Sequence, residues 1–336
     1  MALPTRPLGT SGLEITTTGF GAWAAGGGGW SFGWGPQDDQ ASIEAMRRAI
    51  DGGVNWIDTA AVYGLGHSEE VVGEFIRGLS PADRPLVFTK CGLVWDDSNR
   101  MAVAARNLRP ESIARECEAS LRRLRVPSID LYQFHWPDET GTAVEDSWGA
   151  MVRLVEEGKV RAIGVSNFSV ALLERCEAVR HVDSLQPPLS PIKREVAGAQ
   201  LPWCADHRTG VICYSPMQSG ILTESFSAER VAALAADDWR RRGLEFQSPQ
   251  LERNLRLREA LRPVAARHDT TVSAVAIAWV LAWRGVSGAI VGARSAAQVD
   301  GWLPAARLAL TASDLQDIAA AIGASGAGSG PALPPG

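Results

Sequence analysis

Apolar positions along the chain fall into two alternating rhythms. Over residues 39–51 they recur at helical spacing (Ile43, Met46, Ala49, Ile50) behind an aspartate, and Gly52-Gly53 stops the run. Residues 54–58 then read as a strand. The exchange repeats, with strands expected at 86–90, 129–133 and 160–165 and helices over 110–123, 144–157 and 170–178. A helix starting at Ser68 carries Glu69 and Glu70 in its first turn, where carboxylates suit the helix dipole. Shorter strands fit 184–186, 211–214 and 289–291, and an Ala-rich helix fits 272–283. With 18–21 as the first, eight strand candidates alternate with helices. Alternation predicts a parallel α/β sheet, and eight repeats predict closure into a (β/α)8 TIM barrel with its active site at the C-terminal rim.

The competing architecture is a doubly wound open sheet, which needs a Gly-rich phosphate turn between an early strand and its helix. Gly26, Gly27, Gly28 and Gly29 are the only candidates. Trp23, Trp30, Phe32 and Trp34 surround them, and Pro36-Gln37-Asp38-Asp39 separates them from the helix, so a mobile loop is expected. Residues 1–324 are read as one barrel domain. Residues 325–336 are Gly, Ala, Ser and Pro with a single Leu, and are expected to form a flexible tail.

A formal net charge of -5 argues against a nucleic-acid groove or an anionic-membrane surface, both of which want clustered positive charge. Arg240-Arg241-Arg242 is too short to reverse that and reads as a solvated helix face. No apolar run is long enough to cross a membrane, and residues 1–10 lack a basic region followed by an apolar core. The five cysteines are odd in number and show no zinc spacing, so free thiols and a cytoplasmic location are expected. A monomer or small homo-oligomer is expected. Only three of the 33 basic residues are lysines (Lys90, Lys159, Lys193), and Lys90 ends the apolar run Leu86-Val87-Phe88-Thr89. That is an odd place for a charge.

Polar residues recur at the ends of the expected strands. They are Asp58, Lys90, His135, Ser166-Asn167, Gln186, Tyr214-Ser215 and Gly292-Ala293-Arg294. In a barrel these ends share one rim. One His and one Asp without a third ligand give no metal cluster, and no GxSxG elbow suggests acyl transfer. A Schiff-base role for Lys90 needs a neutral amine, whereas Asp58 on the neighbouring strand holds it charged. A charged lysine beside a tyrosine lowers the phenol pKa and makes it a usable acid, and Tyr63, five residues past Asp58, is the candidate.

The segment Asn55-Trp56-Ile57-Asp58-Thr59-Ala60-Ala61-Val62-Tyr63-Gly64 resembles the aldo-keto reductase signature. So do Phe88-Thr89-Lys90, Gln133-Phe134-His135-Trp136-Pro137-Asp138, Gly164-Val165-Ser166-Asn167-Phe168, Tyr214-Ser215-Pro216-Met217-Gln218-Ser219-Gly220 and Gly292-Ala293-Arg294-Ser295. Order and spacing hold from about residue 7 to 320, and the chain looks most like the bacterial branch with inositol-operon and pyridoxal-type reductases.

The resemblance implies a barrel that binds NADP(H), with NAD(H) also admitted, and reduces carbonyls with Tyr63 as general acid. Lys90 would lower its pKa, Asp58 would hold Lys90, and His135 would orient the carbonyl. Ser166, Asn167 and Gln186 would hold the nicotinamide carboxamide and Tyr214 would stack on the ring. The Pro216 to Leu222 loop, with Gln218, Ser219 and Gly220, would embrace the pyrophosphate. Arg294, with Ser295 and Gln298, would meet the adenosine 2′-phosphate, for which a guanidinium fork is suited, and Ser215 and Gly292 are also expected to bind the cofactor. The chain departs from the family at Leu189, and at Gly301 and Trp302, where relatives carry a Glu and an Asn that meet adenine. A looser adenine end, or Trp302 packing on the base, is expected. Trp23, Trp30, Trp34, Trp95 and Trp136 fall in rim loops and are expected to wall a pocket for a ring-shaped carbonyl or sugar-like substrate. Trp56 and Trp279 are read as core. Two alternatives are an NAD(P)-dependent sugar or cyclitol dehydrogenase and a cofactor-sensing binding subunit.

Overall fold

A computed structural model describes residues 3–235 and 238–335. Eight parallel strands close into a barrel. In chain order they are β1 (Thr18–Gly21), β2 (Trp56–Asp58), β3 (Leu86–Cys91), β4 (Ile129–Phe134), β5 (Val160–Ser166), β6 (Ser184–Gln186), β7 (Gly210–Cys213) and β8 (Val286–Gly292), each bonded to its neighbours and β8 to β1. The (β/α)8 TIM barrel expected from the sequence is therefore the fold. Helices α1 (Asp39–Asp51), α2 (His67–Arg77), α3 (Pro110–Leu124), α4 (Val144–Glu156), α5 (Val170–Glu177) and α6 (Gln200–His207) separate the first seven strands. Then come α7 (Ala228–Ala232), α8 (Gln250–Arg267) and α9 (Val272–Leu281), with α10 (Ala296–Trp302) and α11 (Ala312–Ser325) after β8.

Local chemistry fixes these elements. Asp38 caps α1 by accepting from the Ala41 amide, and α11 opens with a reciprocal capping box between Thr311 and Asp314. An N-terminal hairpin (Thr5–Pro7 with Glu14–Thr16) lies against the barrel's lower mouth. Leu8 and Leu13 of its loop and Ile15 of its second strand pack with Trp56, Phe88, Leu131, Ala162, Ile212 and Ile290 to fill the barrel interior. Gly19 makes room for this core, since a Cβ there would stand 2.1 Å from the Trp56 indole. Trp56 and Trp279 are buried, as expected of core residues.

Register brings the strand ends level. Asp58 pairs with Gly21 and Phe88, Gln133 with Lys90 and Gly164, and Gln186 with Ser166. The polar residues therefore share one rim.

Residues 325–335, expected as a flexible tail, are instead docked. Ser329 bridges to Lys193, and the buried Arg194 donates to the carbonyls of Ala327 and Gly330 at 3.1 and 3.3 Å. Ala327 enters the core, and a guanidinium from across the chain holds the backbone around it, which composition does not reveal. The expectation for Gly301 and Trp302 also shifts, because Trp302 is buried in the main core. All five cysteines are buried and free. Among the described residues, no helix is long and apolar enough to cross a membrane.

Candidate active site

At the rim, β3 delivers Lys90 into the barrel mouth, where it is buried. Its Nζ donates to Asp58 Oδ1 at 2.5 Å and to the Thr59 carbonyl at 2.9 Å. Gln186 Nε2 donates to the other carboxylate oxygen at 2.8 Å. Burial pushes the Asp58 carboxyl up and the Lys90 ammonium down, and each opposes the other's shift by its charge. With both carboxylate oxygens and the ammonium hydrogen-bonded, we read the pair as ionic. Such a pair is worth keeping only when its partners are complete.

Tyr63 lies in the turn between β2 and α2. Lys90 Nζ is 5.3 Å from its ring centroid, and the His135 ring meets it edge-on at 5.6 Å. The sequence brings together all four residues expected to form a catalytic group. One expectation is corrected. The phenol is shifted up, not down, first by burial and then by the Asp58 charge and Tyr214. The carboxylate that pins Lys90 also offsets its field at the phenol. His135 is held neutral by burial and by the nearby Lys90 charge.

Beside this group, Tyr214 donates to Asn167 Oδ1 at 2.8 Å, and Asn167 Nδ2 donates to the His135 carbonyl and Ser166 Oγ, both at 3.0 Å. Ser166 donates to the Gln186 carbonyl at 2.7 Å. Expected cofactor residues on β5, β6 and β7 thus form one continuous network. After β7, Ser215, Gln218, Ser219 and Gly220 all take positive φ, a backbone curl of the type that makes anion-binding concavities. Ser190 and Gln218 brace it at 2.8 Å. Pro216 is buried beside this curl. At the end of this loop the Leu222 side chain packs in the main core.

At the end of β8, Gly292 is exposed, and Ser295 stands at the N-cap position of α10 without a side-chain capping bond. Arg294 Nε donates to Gln37 Oε1 at 2.7 Å, its terminal nitrogen reaches the Pro36 carbonyl, and its amide donates to Gln298 Oε1 at 2.8 Å. Burial and the Arg240 charge lower the Arg294 pKa. The Arg240 charge is itself answered by Asp238, whose carboxylate also favours the Arg294 cation. The backbone curl, Arg294 and the amide network together fit a nicotinamide dinucleotide.

Trp23 stacks on Tyr63 at 5.8 Å, Trp34 meets Trp23 edge-on at 5.3 Å, and Trp30 tilts against Tyr63 at 6.4 Å. Trp95 packs in the same cluster. Trp136 does not join it, being covered instead by Arg106 at 4.5 Å. Sequence reasoning missed Trp239, which stacks on Trp23 at 5.4 Å from the excursion after β7. It also misread Arg240. Far from being solvated, Arg240 is buried, pairs with both oxygens of Asp238 (3.0 and 2.6 Å) and lies 4.6 Å over Trp34. Neighbouring Arg242 donates to the Ser31 carbonyl at 2.7 Å. These contacts tie the loop after β1 to the excursion after β7 above the phenol. Gly26 is not in a free loop either, since a Cβ there would strike the Tyr63–Gly64 backbone at 2.7 Å. A cavity of about 390 Å³ opens on that flank, lined by Gly27, Gly29, His67 and Arg100 among others. The chemistry-bearing groups lie elsewhere, beneath the tryptophans.

Comparison with known proteins follows this geometry. The profile of the Aldo/keto reductase family matches residues 19–322. Aldo-keto reductase YhdN of Bacillus subtilis is 35% identical over 309 residues, covering 92% of this chain and 90% of the relative. The NADH-specific methylglyoxal reductase of Escherichia coli is 32% identical over 304 residues, covering 87% and 90%. Among solved structures, a glycerol dehydrogenase from Gluconobacter oxydans superposes with a TM-score of 0.85 at 35% identity, covering 97% of each chain.

Proposed function

The chain belongs to the aldo/keto reductase family, and on that premise we propose that it reduces an aldehyde or ketone to the alcohol with Tyr63 as proton donor. The observation that carries the reading is Tyr63, with Lys90 and His135 both against its ring, at the carboxyl end of a barrel. We favour NADP(H), with NAD(H) admitted. Ser166, Asn167 and Gln186 would hold the carboxamide, Tyr214 would offer its ring, residues 215–220 would cradle the diphosphate, and Arg294 with Ser295 and Gln298 would meet a 2′-phosphate.

When bound, the reduced nicotinamide supplies a hydride to the carbonyl carbon. Tyr63 holds its proton, because burial and Asp58 favour the neutral phenol, and passes it to the carbonyl oxygen as charge develops there. Lys90, fixed by Asp58 and the Thr59 carbonyl, answers the negative charge left on the phenolate. Neutral His135 has an N–H to spare for the same oxygen and so orients the substrate.

A second reading takes the reaction in the oxidative direction, as an NAD(P)-dependent sugar or cyclitol dehydrogenase, and the structural neighbour named a glycerol dehydrogenase supports it. Tyr63 would serve both directions, giving its proton in reduction and taking it back as phenolate in oxidation. The deciding experiment follows NADPH and NADH consumption over small aldehydes, ketoses, cyclic ketones and pyridoxal, with NADP⁺ and NAD⁺ reduction by polyols, cyclitols and sugars in parallel. Faster carbonyl turnover at neutral pH is expected. Absence of carbonyl turnover with either cofactor overturns the proposal.

A further inference from the structure

Glu69 and Glu70 are adjacent in the first turn of α2, yet their fates differ. Glu70 is exposed, whereas Glu69 is fully buried. A buried carboxylate is costly unless its oxygens are satisfied, and here both are. Thr89 Oγ1 donates to Glu69 Oε1 at 2.6 Å, and Arg123 Nε of α3 donates to Oε2 at 2.6 Å. A Cβ at Gly73 would stand 2.4 Å from the Arg123 carbonyl, so α3 ends hard against α2 and keeps that guanidinium in reach.

Thr89 precedes Lys90 in β3. Side chains alternate across a strand, so Glu69 grips the outer face of the wall whose inner face carries Lys90. Its neighbour Ser68 completes the arrangement. The Ser68 amide donates to the Tyr63 carbonyl at 3.1 Å, and its hydroxyl donates to the Ala22 carbonyl at 2.8 Å. With that proton committed, Thr59 Oγ1 must be the donor in the 2.8 Å contact between the two hydroxyls. Two successive residues of α2 thereby hold the Tyr63 turn, the residue whose carbonyl receives Lys90 Nζ, and the residue next to Lys90.

We propose that Glu69 is a positioning residue for the Lys90–Asp58 pair, acting through Thr89 from outside the barrel. This rests on the reductase reading above only for its kinetic consequence. The charged and titratable groups facing Lys90 are Asp58, Tyr63 and His135 inside the barrel and Glu69 behind it, while Glu69 itself faces Arg123 and Glu116. Its negative charge adds to that of Asp58 in keeping Lys90 protonated.

The test uses the full-length chain with Glu69→Gln, Thr89→Val and Thr89→Ser. Lys90, Lys159 and Lys193 are the only lysines, so a protein labelled with carbon-13 at the lysine ε position gives three side-chain resonances. The one lost in Lys90→Arg identifies Lys90. In Glu69→Gln we expect a cooperative melt, cofactor affinity and carbonyl KM within about twofold of the parent, and kcat lower by about tenfold, as misplacement of a reacting group demands. The Lys90 titration midpoint should move to lower pH. Thr89→Val, which spares the Glu69–Arg123 pair, should share the kcat loss, and Thr89→Ser should restore it. An unmoved Lys90 titration and a parental kcat in both Glu69→Gln and Thr89→Val overturn the proposal. If Glu69→Gln does not fold, Thr89→Val decides alone. If the parent reduces no carbonyl, the lysine titration still tests the placement, and the failure belongs to the reductase reading.

Discussion

Lys90 approaches Tyr63 through the ring. Its Nζ stands 5.3 Å from the ring centroid while held 2.5 Å from Asp58 Oδ1. The ammonium is spoken for at rest, and its worth to the phenol lies in the charge that appears once a proton has left.

Tyr63→Phe removes the proton and little else. Cofactor binding, read as a change in intrinsic fluorescence, should persist. Carbonyl reduction should fall by roughly 10²–10⁴-fold, the usual contribution of a positioned acid. Parental rates in this variant would sink the mechanism.

Lys90→Arg keeps the charge and loses the fit. The side chain is buried between a carboxylate oxygen and a carbonyl, and a planar fork is not interchangeable with a compact ammonium. A fall in kcat of about a hundredfold is expected, on the scale of a misplaced reacting group. The check is steady-state kinetics beside a thermal melt, and normal turnover would mean that charge suffices without geometry.

Arg294→Ala separates the two cofactors. Loss of a charge-assisted contact to phosphate should raise KM for NADPH about tenfold more than KM for NADH. Gln37→Ala, which releases the guanidinium from its 2.7 Å partner, should give a smaller change of the same sign. Equal effects on both cofactors would remove Arg294 from 2′-phosphate recognition.

Trp239→Ala opens the column of rings above the phenol, where Trp23 lies between Trp239 at 5.4 Å and Tyr63 at 5.8 Å. Relative kcat/KM for bulky cyclic carbonyls over three-carbon aldehydes should rise about tenfold, within the range that pocket size commands. An unchanged ratio places Trp239 outside the substrate path.

Glu116 governs a pH dependence of stability. Its carboxyl accepts from the Gly92 amide at 2.8 Å, and burial pushes it up to about 7 from an ordinary 4.5. The folded state therefore binds an extra proton between those values. The stabilisation is complete below 4.5 and is lost as pH rises through about 7. Melting temperature should drop from pH 6 to pH 8, and the drop should shrink in Glu116→Gln. Parallel profiles for the two proteins would refute this.

What the sequence discloses follows from range. Strands and most helices of the barrel are written locally, in runs such as Leu86–Cys91 and in the spacing of Ile43, Met46 and Ala49. α8 is harder to read, because Arg residues and Pro263 interrupt its apolar stripe of Leu251, Leu257, Leu261 and Val264. Asp58, Tyr63, Lys90 and His135 are legible because a parallel barrel sends every strand end to one rim. Glu69, Gln37, Trp239 and Arg240 are not. Each has an ordinary local explanation, and its contacts come from distant segments, as Gln37 meets Arg294 and Arg242 meets Ser31. Side-chain identity announces a distant partner only where the strand pattern already brings both to one rim.

Lys193 is exposed and Lys159 half-exposed, while Lys90 is sealed in the barrel. An amine-reactive reagent added to the native protein should therefore tag two lysine side chains and spare the third. The moment at which the third tag appears in a mass spectrum times the opening of the barrel around Asp58, so the chain carries its own unfolding clock.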